Sequence, residues 1–341
     1  MKARNIILAV IIACFASSCN KTPQVQLVIM ETDIGNDVDD ALAMDLLYKY
    51  QEEGRINLLM VGVNKDGTGS AEYLDILNTW YGYPDIPIGV VRNGAQAGPE
   101  NLHFAKKVTL MKNEAGEPLF ARSHPDYDNY MDAHILYRKV LAQQPDHSVT
   151  IASVGFSTNL VRLLNTPADE YSKLTGKELV AKKVKLLVTM AGNFENPDMH
   201  EYNVAVDIPA AKTIFEQWPT PVVTSPWEVG NAILYPGSSI ENDFNWAKEG
   251  HPVAEGYKAY MEMPYDRQTW DPTAVLYAVE GGDRFTVSPA GNITVTDEGS
   301  TLFTPDENGT RRYLSVTPEQ ADSIKAYFIE RITRIPVHQA K

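Results

Sequence analysis

Apolar positions recur along this chain in two rhythms. Short uninterrupted runs at 27–30, 56–63, 86–91, 148–154, 184–190 and 221–224 have the length and content of strands buried on both faces. Between them, apolar residues three and four apart at 41–51, 71–81, 133–143, 159–165 and 209–217 predict helices. Strands alternating with helices predict an α/β domain, with a mostly parallel central sheet and helices on both faces. The rhythm changes at 281–315. There Phe285-Thr286-Val287 and Ile293-Thr294-Val295 alternate apolar with polar between Gly and Asn turns, which predicts a small antiparallel β insertion near the C-terminus. The stretch 318–335 predicts a closing helix, with Thr317 as N-cap and Gln320 at the reciprocal capping position. No stretch within 25–341 is rich enough in Pro, Gly or Ser to divide that domain.

The N-terminus follows another logic. Lys2 and Arg4 precede an apolar run at 6–15, and the small residues Ala16, Ser17 and Ser18 lead to Cys19. That order predicts a secretory signal over 1–18, too short to span a bilayer comfortably. The small residues directly before Cys19 resemble the lipobox of bacterial lipoproteins. The resemblance implies a lipid anchor on Cys19, a polar tether over 19–24, and a place in the cell envelope on the periplasmic or surface side. Cys14 falls in the removed segment, so the mature chain has a single cysteine and no internal disulfide. The formal net charge of −14 disfavours nucleic acid and anionic lipid as ligands of the domain. A neutral small molecule is not repelled.

Candidate chemistry concentrates after the first strand, in Asp33-Ile34-Gly35-Asn36-Asp37-Val38-Asp39-Asp40-Ala41. Carboxylates at the end of an α/β strand sit where ligands bind. One or two aspartates suit a helix N-terminus. Four in one loop repel one another, and a hard divalent cation with oxygen ligands relieves that. Three later segments could complete the shell. Val154-Gly155 closes a strand, and a backbone carbonyl there could face a cation, or the turn could simply precede a helix capped by Asn159. Asn193 and Asn196 precede Glu201-Tyr202-Asn203; in extended backbone Glu201 and Asn203 point to one side and suit paired sugar hydroxyls. Asp271, entering a helix after Trp270, could be an N-cap or reach the metal.

Together, in this order, these segments resemble the nucleoside N-ribohydrolase family, the inosine-uridine-preferring nucleoside hydrolases. The likeness runs from Val25 to about Ala278 and rests on the aspartate cluster, on Val154-Gly155-Phe156-Ser157-Thr158-Asn159-Leu160, on Glu201 through Asp207, and on Trp270-Asp271-Pro272-Thr273-Ala274. It implies a nucleoside hydrolase-like, Rossmann-like fold and the calcium-dependent hydrolysis of ribonucleosides to ribose and base, in nucleoside salvage. By that likeness Asp33 is general base and calcium ligand. Asp40, Asp271 and the Val154 carbonyl are further ligands, with Asp37 as an additional candidate. Asp39, Asn196, Glu201 and Asn203 contact substrate, and Trp270, which does not match the family, can by its own chemistry stack on the base. Homodimers or homotetramers are implied as well.

Three departures from the family pattern stand out. The shorter form of the motif lacks two residues that this chain has around Asp37 and Val38, which makes Asp37 an extra carboxylate that could share the ligand or base role. Glu31 stands where aspartate is commoner, and Trp270 stands where histidine often precedes the last aspartate. Tryptophan cannot protonate a leaving group. The acid is then another residue, with His103, His124 and His200 candidates by type, or the glycosidic substrate is different. A lipid-anchored, calcium-containing protein that binds nucleosides or sugars without turnover would use the same ligands. A haloacid dehalogenase-type phosphatase is disfavoured because Glu31 holds its nucleophile position, and an EF-hand because Gly35 holds a ligand position.

Overall fold

The computed structural model describes residues 25–95, 103–196 and 198–339; the signal, the tether and Cys19 lie outside them. Its strands are β1 (Gln26–Thr32), β2 (Ile56–Val63), β3 (Ile88–Val90), β4 (Met131–Asp132), β5 (Val149–Ser153), β6 (Val184–Met190) and β7 (Val222–Ser225), then β8 (Leu234–Tyr235), β9 (Arg267–Gln268), β10 (Thr286–Val287), β11 (Gly291–Val295), β12 (Thr301–Pro305) and β13 (Arg311–Ser315). The main sheet runs β12-β11-β13-β7-β6-β5-β1-β2-β3-β4, with β10 on β13; β8 and β9 form a separate ribbon. β1 to β7 are parallel throughout.

From β1 the chain builds outward through β2, β3 and β4, then returns to lay β5, β6 and β7 on the other side. The crevice between the ends of β1 and β5 is therefore the switch point, where ligands of open parallel sheets bind. Side-chain alternation along β1 divides the core. Val28 and Met30 join one apolar cluster, under the helices Asp39–Glu52, Thr68–Trp80, Trp270–Glu280 and Pro318–Ile332. Ile29 joins the other, under Ala133–Ala142, Thr158–Leu164 and Ile208–Gln217. Continuous apolar strands are the sequence signature of such two-sided cover.

The insertion at 281–315 is antiparallel between β11 and β12. Alternation could not show that β13 pairs in parallel with β7, Arg311 opposite Val222, so the insertion extends the main sheet. The closing helix has both reciprocal cap bonds, Gln320 N–H to Thr317 Oγ1 at 3.2 Å and Thr317 N–H to Gln320 Oε1 at 2.9 Å, and it ends at Ile332. No helix of the described residues is long and apolar enough to cross a membrane.

Candidate metal and sugar site

The acidic loop leaves β1 at Thr32 and enters the helix Asp39–Glu52 at the switch point. Thr32 Oγ1 accepts the Ile34 N–H at 3.1 Å and donates to Asp40. Gly35 adopts φ +118°, which L side chains avoid, and the Ser70 hydroxyl donates to the Ile34 carbonyl. This turn sets Asp39 and Asp40, both buried, on the first helical turn.

Oxygens of Asp39, Asp40 and Asp271 lie within 4.8 Å of one another. Asp271 comes from the start of the helix Trp270–Glu280. Thr269, not Asp271, occupies the N-cap there, and the Asp271 N–H donates to Asp39 Oδ2 at 3.0 Å. Burial holds all three carboxyls well above the usual range, and repulsion from neighbouring aspartates raises them further. Burial also pushes Asp33 up to about 6, against the hydrogen bond from Asn36 Nδ2 at 2.6 Å. So many buried acidic groups fit a hard cation with oxygen donors. Gly155 lets this layer close. A Cβ there would fall 2.7 Å from the Asp33 amide nitrogen and from Asp33 Oδ1.

The remaining predicted residues divide. Asp37 turns to Arg267: both its oxygens accept from that guanidinium, one from Nε at 2.9 Å. The Val154 carbonyl accepts from Asn203 Nδ2 at 3.0 Å. The alternation of Glu201 and Asn203 predicted extended chain, but only Glu201 is extended and the helix begins at Tyr202. Glu201 N-caps the short helix Tyr202–Val206, accepting from Asn203 N–H at 2.8 Å and Val204 N–H at 3.2 Å, and it also accepts from Gly192 N–H at 3.0 Å. A cap satisfies orphan helix donors, which favours helix over extended chain here. Burial pushes the Glu201 carboxyl up to about 7. Asn196 is exposed on its loop, outside the cavity lining. Asn159 is not a cap either: its Nδ2 donates to Glu31 Oε1 at 2.6 Å and to the Val63 carbonyl at 2.9 Å. Glu31, fully buried, also accepts from Tyr137, and Gly62 makes room for it, since a Cβ there would sit 2.0 Å from Glu31 Oε2.

A cavity of about 410 Å³ opens above the cluster. Asp33, Asp37, Asp39, Asp40, Asp271, Val154, Glu201 and Asn203 are on its lining, and Trp270, Trp227, Tyr202 and Met190 supply apolar wall. Trp270 is firmly seated. Its Nε1 donates to the Trp227 carbonyl at 2.9 Å, the Arg267 guanidinium stacks 5.1 Å from its ring, and Gly230 leaves space where a Cβ would meet its backbone at 2.3 Å. His103 lines the cavity. His124 instead lies beside Asp75, and His200 is exposed. Tyr235 is buried against Ser239, off the lining. Sequence reasoning passed over Asn36 and Thr32 as partners of the acidic residues. Asn36, three residues after Asp33, had a visible signal in the spacing by which short polar side chains bond along a turn.

The sequence profile of the inosine-uridine preferring nucleoside hydrolases matches residues 28–326. No match was found among curated proteins. Among solved structures, a plant nucleoside hydrolase aligns with a TM-score of 0.68 at 19% identity, over 92% of this chain and 100% of that one. The purine-preferring ribonucleoside hydrolase of Gardnerella vaginalis aligns with a TM-score of 0.69 at 16% identity, over 90% and 98%. The inosine-uridine preferring nucleoside hydrolase of Bacillus anthracis gives 0.65 at 18%, over 90% and 100%. Identities this low speak for the fold, while the profile spans most of the chain. The protein thus belongs to the inosine-uridine preferring nucleoside hydrolase family, enzymes that hydrolyse N-glycosyl compounds.

Proposed function

We propose that this enzyme hydrolyses the N-glycosidic bond of ribonucleosides to ribose and free base, with calcium as its cation. The observation that carries the reading is the buried aspartate cluster at the switch point, on a cavity whose lining also includes Glu201, Asn203, Trp227 and Trp270. Asp33, Asp39, Asp40, Asp271 and the Val154 carbonyl would hold the cation. Bound there, a divalent ion lowers the pKa of water and orients hydroxyls.

The chain's own groups do the rest. Asp33 takes the proton of the attacking water as general base. Glu201 already accepts three backbone N–H groups, and a carboxylate has about four acceptor sites, so one remains for a sugar hydroxyl. Asn203 spends its Nδ2 on the Val154 and Met190 carbonyls, which leaves Oδ1 to accept a second hydroxyl. Ionised carboxylates stabilise the positive charge that develops at the anomeric carbon. Water adds opposite the base, the C–N bond breaks with its electron pair passing to the base, and the sugar inverts. Trp270 and Trp227 wall the base. His103, the one histidine on the lining among the described residues, gives the base its proton.

The test is ribose release from a panel of purine, pyrimidine and nicotinamide ribosides, with calcium and with chelator. Calcium-dependent release that is lost in Asp33→Ala supports the reading. Tight calcium binding without release from any riboside replaces it with a binding protein. Anchoring through Cys19 belongs to the same proposal and is tested by labelling with a fatty acid in cells, wild type against Cys19→Ser.

A further inference from the structure

The Gly192-Asn193 peptide is a junction. Gly192 N–H donates to Glu201 Oε2 at 3.0 Å, and the Gly192 carbonyl accepts from Trp227 N–H at 2.8 Å. One residue thus fixes both a sugar-end carboxylate and an aromatic wall. Gly192 does so just past β6 at φ +86°, a conformation that favours glycine.

A distant hydroxyl holds the residue that follows it. Thr301, at the start of β12, is 4% exposed. Its Oγ1 accepts the Asn193 N–H at 2.9 Å and donates to the Asn193 carbonyl at 2.8 Å. That single oxygen serves both backbone groups of a buried residue, as a hydroxyl, both donor and acceptor, can do. Its methyl fills the space over Gly192, where a Cβ would lie 3.1 Å from Thr301 Cγ2. The insertion carrying it is itself anchored, through β13 on β7 and through Phe194 stacked 4.6 Å from Tyr313.

We infer that Thr301 is a positioning residue for the sugar end of the site, so that the C-terminal β insertion is part of the active-site architecture. This rests on the hydrolase reading above. Thr301→Val keeps shape and removes both bonds, leaving a buried N–H and carbonyl unpaired. Expected is a rise in KM for ribosides of about tenfold with a smaller change in kcat, calcium affinity by calorimetry unchanged, and recovery in Thr301→Ser. A tryptophan-fluorescence titration with ribose, which needs no turnover, should show the same loss of affinity in Thr301→Val. Parent-like KM in Thr301→Val, equal ribose response of the two proteins (including none in either), or a joint loss of riboside and calcium binding overturns the inference. A parent enzyme that binds ribose but releases none from any riboside overturns the hydrolase reading instead.

Discussion

Removing the cation should give the fold a pH dependence of one sign. Without it, Asp33, Asp39, Asp40 and Asp271 sit in a folded protein that holds their carboxyls above their unfolded values. The folded state then binds more protons than the unfolded one. These groups therefore favour folding most below the unfolded pKa, near pH 4, and that benefit disappears as pH rises through the folded values. Asp33 alone moves from 3.8 to about 6. At 1.36 kcal/mol per unit this is about 3 kcal/mol, lost between roughly pH 4 and 7. The other three add in the same direction. At about 2.1 cal/mol/K of unfolding entropy per residue, one kcal/mol moves the melting temperature of a domain this large by about 1.5 °C, so the Asp33 share alone is about 5 °C. The assay is calorimetric melting from pH 4 to 8, with saturating calcium and with chelator, and the difference between the two curves cancels titrations elsewhere. That difference should widen with pH, and Asp40→Asn should flatten the chelated curve. Parallel curves, or a chelated protein most stable at pH 8, would refute the repulsion reasoning.

Other substitutions follow from single contacts. Asp33→Asn should keep the fold by circular dichroism and lower kcat for ribosides about 10²–10⁴-fold, the range of a lost general base. His103→Gln should lower kcat about a hundredfold on natural nucleosides and leave p-nitrophenyl riboside, whose leaving group needs no proton, near parent rate; equal losses on both substrates would remove His103 as acid. Gly155→Ala places a Cβ 2.7 Å from the Asp33 amide nitrogen and carboxylate, so calcium affinity by calorimetry should fall along with kcat. Gly62→Ala would drive a methyl to 2.0 Å from Glu31 Oε2, and its melting temperature should drop; the double change Gly62→Ala with Glu31→Asp should recover part of it.

Much of this was legible in the chain because parallel strands buried on both faces have no polar positions to spare. Four aspartates after such a run had to be at its carboxyl end, where the ligand crevice opens, and Asp271 and Glu201 stood out by type at other strand or helix boundaries. What stayed illegible depends on contacts across long separations or on very short elements. Arg267, which takes Asp37, is 230 residues away from it in sequence. Thr301 is 108 residues from Asn193. The helix Tyr202–Val206 spans five residues, less than two turns, so periodicity could not distinguish it from extended chain. Asn159 reads as a cap by position and is a buried ligand of Glu31, because a fully buried carboxyl needs donors wherever the fold can find them.

The Asp271 N–H reaches Asp39 Oδ2 across 232 residues. Chain closure over such a span is slow compared with local helix formation. An N-terminal portion carrying Asp33, Asp37, Asp39 and Asp40 can complete its first strands and helices, yet it lacks a member of the cation shell until the helix Trp270–Glu280 docks. Ion capture is then a late event that locks an already threaded chain, and truncated chains should stay metal-free even in excess calcium. Such a chain cannot be trapped by its own ligand half-made.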